Sequence, residues 1–273
     1  MPYLATIVPF GFADFDPVRL LPLYRELGCQ RCQFYRNPEN PPVLAEARRI
    51  VEDAGMPFDS IHGRFGPDLD PSSPDETVRR ASVQTYRREG ELALQLGAWG
   101  VVVHPAPAAP NTRISPQVRA SRVGPLKQSL GELAAIGEEL GVTWLIENLP
   151  SEMYIGNDPV QLADLVRELD HPRVRMCFDT GHANMTADAV TAARAARDVI
   201  AYLHIHDNDG RRDSHEVPGD GTIDWPALAA TLASLPASTP AMLELFRSEE
   251  ELRQRIDAGL RDQLTPWLGL DRS

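Results

Sequence analysis

The sequence predicts one α/β fold, a single (β/α)8 TIM barrel over residues 1–273. Three observations predict it. Short apolar runs alternate with longer amphipathic segments along the whole chain, the pattern of parallel strands and crossover helices. Eight such pairs fit into the 273 residues with no long linker and no break in composition, which is the size of such a barrel. Most of the apolar runs also end in an imidazole or a carboxylate: "FDSIH", "WGVVVH", "TWLIE", "VRMCFD", "YLHIH" and "AMLE". Parallel barrel strands all end at one face, so groups far apart in sequence would meet there.

The predicted strands are 3–8, 31–36, 57–62, 99–104, 143–147, 174–179, 200–206 and 240–245. Each is rich in Val, Ile, Leu, Phe or Tyr, and several are continuously apolar, as strands covered on both faces must be. The first helix, 17–27, carries Val18, Leu21 and Leu23 and stops at Gly28. The second, 41–54, stops at Gly55. The third, 74–97, starts on the cap-like "SSPDE" and stops at Gly97; the fourth, 115–140, starts at "SP" and stops at Gly141. The last four are 158–169, 187–198, 225–235 and 248–265, and "NDP" and "DWP" put Pro at a first helical position in two of them. Asp224 is the expected N-cap of the helix from 225. Trp99 and Trp144, at strand starts, are expected to pack the barrel, and "HPAPAAPN" (104–111) to connect elements at the strand-end face. An open doubly wound sheet would call for a glycine-rich turn after the first strand, and "VPFGFADF" is not one.

A net charge of −12 disfavours non-specific attraction to nucleic acid or anionic membranes. The apolar runs are too short to span a bilayer, and "MPYLATIVPFGFADF" lacks the basic segment of a signal peptide. Cys29 and Cys32 form a lone C-x-x-C within an odd count of three cysteines, read as ordinary reduced thiols. A cytoplasmic protein is expected.

His62, His104, Glu147, Asp179, His206 and Glu244 end the third to eighth predicted strands. Each alone has a bland reading, as a hydrogen-bonded loop histidine or a helix-capping carboxylate. Together they do not, because carboxylates beside buried apolar runs cost free energy unless a cation compensates them. Imidazole and carboxylate form the ligand set of a borderline divalent ion such as zinc or manganese. Asp179 and His182 lie in "FDTGHAN", where one tight turn directs both to the same place. Asp213 and His215 lie in "NDGRRDSHEVPGDG" and point the same way if that loop is extended. His204, two before His206, also points inward but one layer deeper, as a core or supporting residue. His171, in "LDHPRV", starts a strand at the opposite face.

The segments "IENLP", "CFDTGHAN", "HIHDNDG", "HEVPGDGTIDW" and "LELF" resemble, in this order, the xylose isomerase-like TIM-barrel superfamily. That group includes ketose epimerases, sugar isomerases and endonuclease IV. The resemblance implies one to three zinc or manganese ions per chain and two competing activities. The first is a divalent-metal-dependent sugar or sugar phosphate isomerase/epimerase that transfers a proton next to a metal-bound carbonyl. Its single ion would be held by Glu147, Asp179, His206 and Glu244, with Glu147 and Glu244 as base and acid and His182 on a substrate hydroxyl. Where the epimerases carry "GE-x-N-R", this chain has "HDNDGRRD", so Arg211 or Arg212 becomes the substrate-holding candidate, with a solvated loop charge as the equal alternative. The second activity is an endonuclease IV-like zinc phosphodiesterase, whose larger set adds His62, His104, His182, Asp213 and His215, with Glu147 bridging two ions. Arg31, Tyr35, Arg36, Arg64 and Phe65, near the mouth, would serve a sugar or a nucleotide equally well. A small sugar-like partner is expected, nucleic acid only under the second activity, and no membrane. A homo-oligomer is compatible with the sequence. A purely structural metal scaffold fits poorly, because ligands at an open cleft do not make a closed site.

Overall fold

The computed structural model describes residues 3–109 and 114–269. Eight parallel strands close into a barrel in chain order: β1 (Leu4–Phe10), β2 (Cys29–Arg36), β3 (Phe58–His62), β4 (Gly100–Val103), β5 (Thr143–Glu147), β6 (Val174–Asp179), β7 (Ile200–Ile205) and β8 (Ala241–Leu243). The helices are α1 (Pro17–Glu26), α2 (Leu44–Asp53), α3 (Glu76–Leu96), α4 (Pro116–Leu140), α5 (Pro159–Leu169), α6 (Thr180–Thr186), α7 (Ala189–Ala196), α8 (Trp225–Leu232), α9 (Glu249–Asp257) and α10 (Leu260–Leu268). The (β/α)8 expectation holds, with two refinements. Residues 180–186 form a short extra helix, started by the Asp179 side chain accepting from His182 N at 2.6 Å. The expected helix 248–265 is two helices, broken where Gly259 takes φ +91°.

Two buried layers build the barrel. The larger lies between strands and helices and includes Phe34, Phe58, Trp144 and Phe178. The smaller fills the inside with Ala5, Ile7, Val102, Leu145, Cys177, Tyr202 and Met242. Side chains alternate between these layers along each strand, so the inward position nearest each strand end faces the mouth. Trp144 is fully buried as expected, its Nε1 donating to Leu133 O, whereas Trp99 is partly exposed and reaches Tyr3 OH at 3.3 Å.

Capping fixes where the helices begin. Asp16, Asp75, Ser115, Asp158, Asp188, Asp224 and Ser248 each accept a backbone N–H of the first turn. The strand-end loops are tied to each other. An isolated bridge joins Ala108 to Met153, and Arg119 of α4 donates to the carbonyls of Ser151, Met153 and Tyr154. Residues 110–111 of the expected Pro-Ala connection lie outside the described residues. Among the described residues no helix is long and apolar enough to cross a membrane.

Candidate metal centre

The strands deliver the expected groups to one mouth, and their register sorts them by depth. His62, Glu147 and Asp179 are the last residues of β3, β5 and β6; His104 and Glu244 follow β4 and β8 directly. In the β6–β7 ladder Asp179 stands opposite His204, and Glu244 N donates to Ile205 O at 3.1 Å. His204 is therefore level with the carboxylates. It lies with Glu147, Asp179 and Glu244 in one cluster whose candidate ligand atoms are within 4.8 Å of one another. This corrects the depth expected for His204. The sequence pointed to His206 as the histidine of the four-residue set; the register puts His204 there and carries His206 one step outward.

Three further clusters surround that one: His62 with His104 and Glu147; Asp179 with His182 and His206; and His206 with Asp213 and His215. All nine ligand positions read from the sequence are therefore gathered, with His204 as a tenth. Glu147 belongs to two clusters. Its Oε2 lies 3.0 Å from His104 Nε2 and 3.7 Å from His62 Nε2, while Oε1 lies 2.8 Å from His204 Nδ1. Glu244 Oε2 is 2.9 Å from the same His204 nitrogen. On the other side, His206 Nε2 is 3.0 Å from Asp179, and Asp213 Oδ2 sits 3.2 Å from His182 Nε2 and 3.3 Å from His215 Nε2.

Main-chain carbonyls orient most of the imidazoles. Nδ1 donates to Gly63 O in His62, to Asn148 O in His182, to Asp207 O in His206 and to Glu244 O in His215. A nitrogen facing a carbonyl must carry a proton, so each of these rings turns Nε2 toward the carboxylates, and Nε2 carries a lone pair whenever the ring is neutral. His206 can take its place because residue 181 is glycine: a Cβ there would stand 2.0 Å from His206 Cε1.

Asp213 and His215 arrive on the loop between β7 and α8. That loop folds around Asp207, which is fully buried and accepts from Trp225 Nε1 at 2.7 Å, Gly219 N at 3.0 Å and Ile223 N at 3.3 Å. A short antiparallel bridge from Asp207 to Glu216 turns the intervening residues back over the mouth. His215 is held at φ +46°, a conformation uncommon outside glycine and often found at functional positions.

The donor set fits divalent cations. Oε2 of Glu147 and Oε2 of Glu244 are buried and accept no hydrogen bond, although imidazoles crowd them. Buried carboxylate oxygens in this state are costly unless a cation meets them. Protons substitute in part. Burial opposes charge on His182, but Asp179 and Asp213 beside it hold its pKa well above the ordinary value, and Asp213 raises that of His215 to about 9 against the same opposition. His62 goes the other way: burial and the neighbouring His104 push it down to about 4.

A cavity of about 200 Å³ opens over the clusters, lined in part by Tyr35, Phe65, Pro150, Met153 and Phe246. A second of about 240 Å³ adjoins it, sharing Tyr35, His62 and Phe65 and adding Phe12, Arg36 and Arg64. Arg64 thus borders the neighbouring cavity, 3.3 Å from Asp68. Arg211 and Arg212 border neither. Asp209 accepts from both their backbone N–H groups and pairs with the Arg212 guanidinium, turning these side chains toward solvent. Arg36 is paired with Glu89 at 2.7 Å, and Arg31 lies toward the floor of the barrel, over the Tyr3 ring. Met153, Pro150 and Phe246 were not read from the sequence, since a loop residue reaches a cavity through the fold of its loop and not through periodicity.

The sequence is similar to that of an uncharacterized protein of Methanocaldococcus jannaschii, 29% identical over 199 residues, covering 70% of this chain and 64% of that one. It is also similar to D-psicose 3-epimerase of Ruminiclostridium cellulolyticum, 31% identical over 121 residues, covering 44% of this chain and 40% of the epimerase. The matched segments span less than two thirds of these relatives' lengths. Among solved structures, the IOLI protein with a bound zinc atom superposes with a TM-score of 0.75 at 18% identity, over 97% of this chain and 99% of that chain. Residues 22–264 match the family described as the xylose isomerase-like TIM barrel. The chain belongs to that family.

Proposed function

We propose that the chain is a divalent-metal-dependent isomerase or epimerase of a sugar or sugar-like ketone. One observation carries this reading: Glu147 and Glu244 converge on the same His204 nitrogen, at 2.8 and 2.9 Å, beneath a cavity of sugar size. The similarity to a D-psicose 3-epimerase supports it. Glu147, Asp179, His204 and Glu244 would hold the central ion, and the outer clusters would hold up to two more. When bound, a divalent ion there withdraws electrons from a substrate carbonyl and makes the adjacent C–H more acidic.

The protein's own groups then divide the proton transfer. One of the two glutamates takes the proton from the carbon beside the carbonyl, and the other returns a proton to the opposite face or to the neighbouring carbon. The rings of Tyr35, Phe65 and Phe246 border the cavity and limit water at the reacting carbon. His182 and Asp213, at its polar wall, bind substrate hydroxyls when no outer ion claims them. The test is turnover of a ketose panel with and without chelator. Chelator-sensitive turnover that Glu244→Gln abolishes is the expected result; a fully active chelated protein would refute the reading.

A zinc phosphodiesterase is the second reading, favoured by one observation, the sharing of Glu147 between two clusters with a further pair of clusters beside them. The outward-turned Arg211 and Arg212 and the net charge of −12 oppose it. Nicking of an abasic-site duplex, assayed beside the ketose panel, separates the two.

A further inference from the structure

His204 is built differently from its neighbours. Four imidazoles at the mouth give Nδ1 to a backbone carbonyl and keep Nε2 for the clusters. His204 is reversed: Nδ1 faces Glu147 and Glu244, and Nε2 points down the barrel axis. There it meets the Gln33 side-chain amide, 3.2 Å from Gln33 Nε2. Gln33 is fully buried, and its Oε1 accepts no hydrogen bond. The same amide end lies 3.2 Å from Ser60 Oγ, which is 2.7 Å from Asp59 Oδ1 and 2.9 Å from Tyr202 OH. Tyr202 OH in turn donates to Asp59 at 3.1 Å. A polar column therefore runs from the mouth into the barrel interior, where the other inward groups are mostly apolar.

For His204 Nδ1 to offer a lone pair to a cation, the single ring proton must sit on Nε2, and a buried Nε2–H needs an acceptor. No backbone carbonyl fills that role among the described hydrogen bonds; the amide of Gln33 stands in its place. A half-turn about its last side-chain bond brings Oε1, otherwise without a donor, to the Nε2–H at the same distance. The two ends of an amide have nearly the same shape, so the turn leaves the packing as it is. Ser60 Oγ, which accepts from Nε2 before the turn, then donates its proton to Oε1, and Asp59 keeps the Tyr202 hydroxyl as donor.

We propose that Gln33 is the positioning residue that fixes His204 in the tautomer with Nδ1 free for a cation, and that Ser60, Asp59 and Tyr202 hold Gln33 in place. Gln33 touches neither substrate nor ion. It acts through His204, and the proposal rests on the metal-dependent reading above.

Zinc affinity, measured by competition with a chromophoric chelator, tests it in the full chain. Gln33→Met keeps the volume and removes the acceptor, and is expected to weaken the tightest zinc site about 10- to 100-fold, the usual effect of losing such a partner. Gln33→Glu keeps an acceptor oxygen and is expected to restore affinity to the wild-type level or above. Wild-type affinity in Gln33→Met overturns the proposal. So does an equal loss in both variants, which would mean that Gln33 only packs. If a variant does not fold, nitrogen-15 spectra of the zinc-loaded wild type decide. One zinc-bound histidine ligated through Nδ1 with its proton on Nε2, against the others ligated through Nε2, is expected; Nε2 ligation throughout overturns it. Absence of any zinc uptake by the wild type would instead remove the metal reading itself, and this inference with it.

Discussion

The two sides of the mouth push the pKa values of His62 on the one hand, and of His182 and His215 on the other, in opposite directions. Beside β3 and β4, His62 and His104 share one carboxylate, Glu147, and burial keeps the His62 pKa down at about 4. Beside β6 and β7, the aspartates Asp179 and Asp213 serve His182, His206 and His215, and the pKa values of His182 and His215 are raised. Burial alone favours the neutral ring on both sides, so the local supply of carboxylate decides the outcome. Under the metal-dependent reading His62 would ligate at neutral pH without losing a proton, whereas His182 and His215 would first give up protons, so cation uptake on their side would be coupled to proton release.

Four experiments would break or sharpen this contrast. The largest effect is expected from Glu147→Gln, because Glu147 belongs to a cluster on one side and to the central one. Cation content should fall at both, and ketose turnover should drop on the order of 10²- to 10⁴-fold, the range for losing a general base. Elemental analysis beside steady-state kinetics checks this, and a variant that keeps its full metal complement would dissolve the shared role.

Gly181→Ala should act on one side only. The added methyl would meet the His206 ring at 2.0 Å, so the ring must move. A loss of about 1–3 kcal/mol in urea unfolding is expected for such overpacking, with cation binding by His62 and His104 kept. Equal loss from both sides would show that the halves are not separable.

A smaller effect concerns charge alone, in chelator-treated protein. Burial opposes charge on His215, but its hydrogen bond to Asp213 raises its folded pKa from near 6.5 to about 9. A raised pKa contributes stability fully present below the unfolded value and lost as pH rises through the folded one. The pKa of Asp213 is lowered from 3.8, so its own contribution disappears in acid. Wild type should therefore exceed Asp213→Asn in melting temperature most between about pH 4 and 6.5, and the gap should close as pH passes about 9. A gap independent of pH would show that the pair does not titrate as a unit.

The smallest effect is expected from Arg212→Ala. Its side chain is 82% exposed and paired with Asp209, so KM for any substrate should change less than about twofold, as for most exposed ion pairs. A tenfold rise would bring Arg212 back to the substrate.

The barrel was legible because parallel strands buried on both faces must be apolar throughout, and a carboxylate ending such a run stands out. "TWLIE" and "VRMCFD" occupy the strand spans expected of them, Thr143–Glu147 and Val174–Asp179. The level of His204 was not legible. Sequence parity says only that His204 and His206 share a face; which of them meets Glu147 depends on how β7 slides along β6, and that is a property of two strands. The helix from Thr180 to Thr186 escaped because "TGHANMT" is too short for an apolar period and starts on a carboxylate already read as a ligand. The direction of Arg211 and Arg212 depends on the turn made by Asp209, which a spacing rule cannot supply.

The buried carboxylate of Asp207 has a consequence beyond its own hydrogen bonds. It gathers the far end of the β7–α8 loop by gripping Trp225, Gly219 and Ile223, all of which come after Asp213 and His215. The segment between is an excursion with both ends pinned to one anchor, and no strand of the barrel passes through it. Two ligand positions of the outermost cluster therefore travel as a cassette. Under the metal-dependent reading, exchanging that stretch would change how many cations the mouth could hold while leaving the strands, their register and the central four groups as they are.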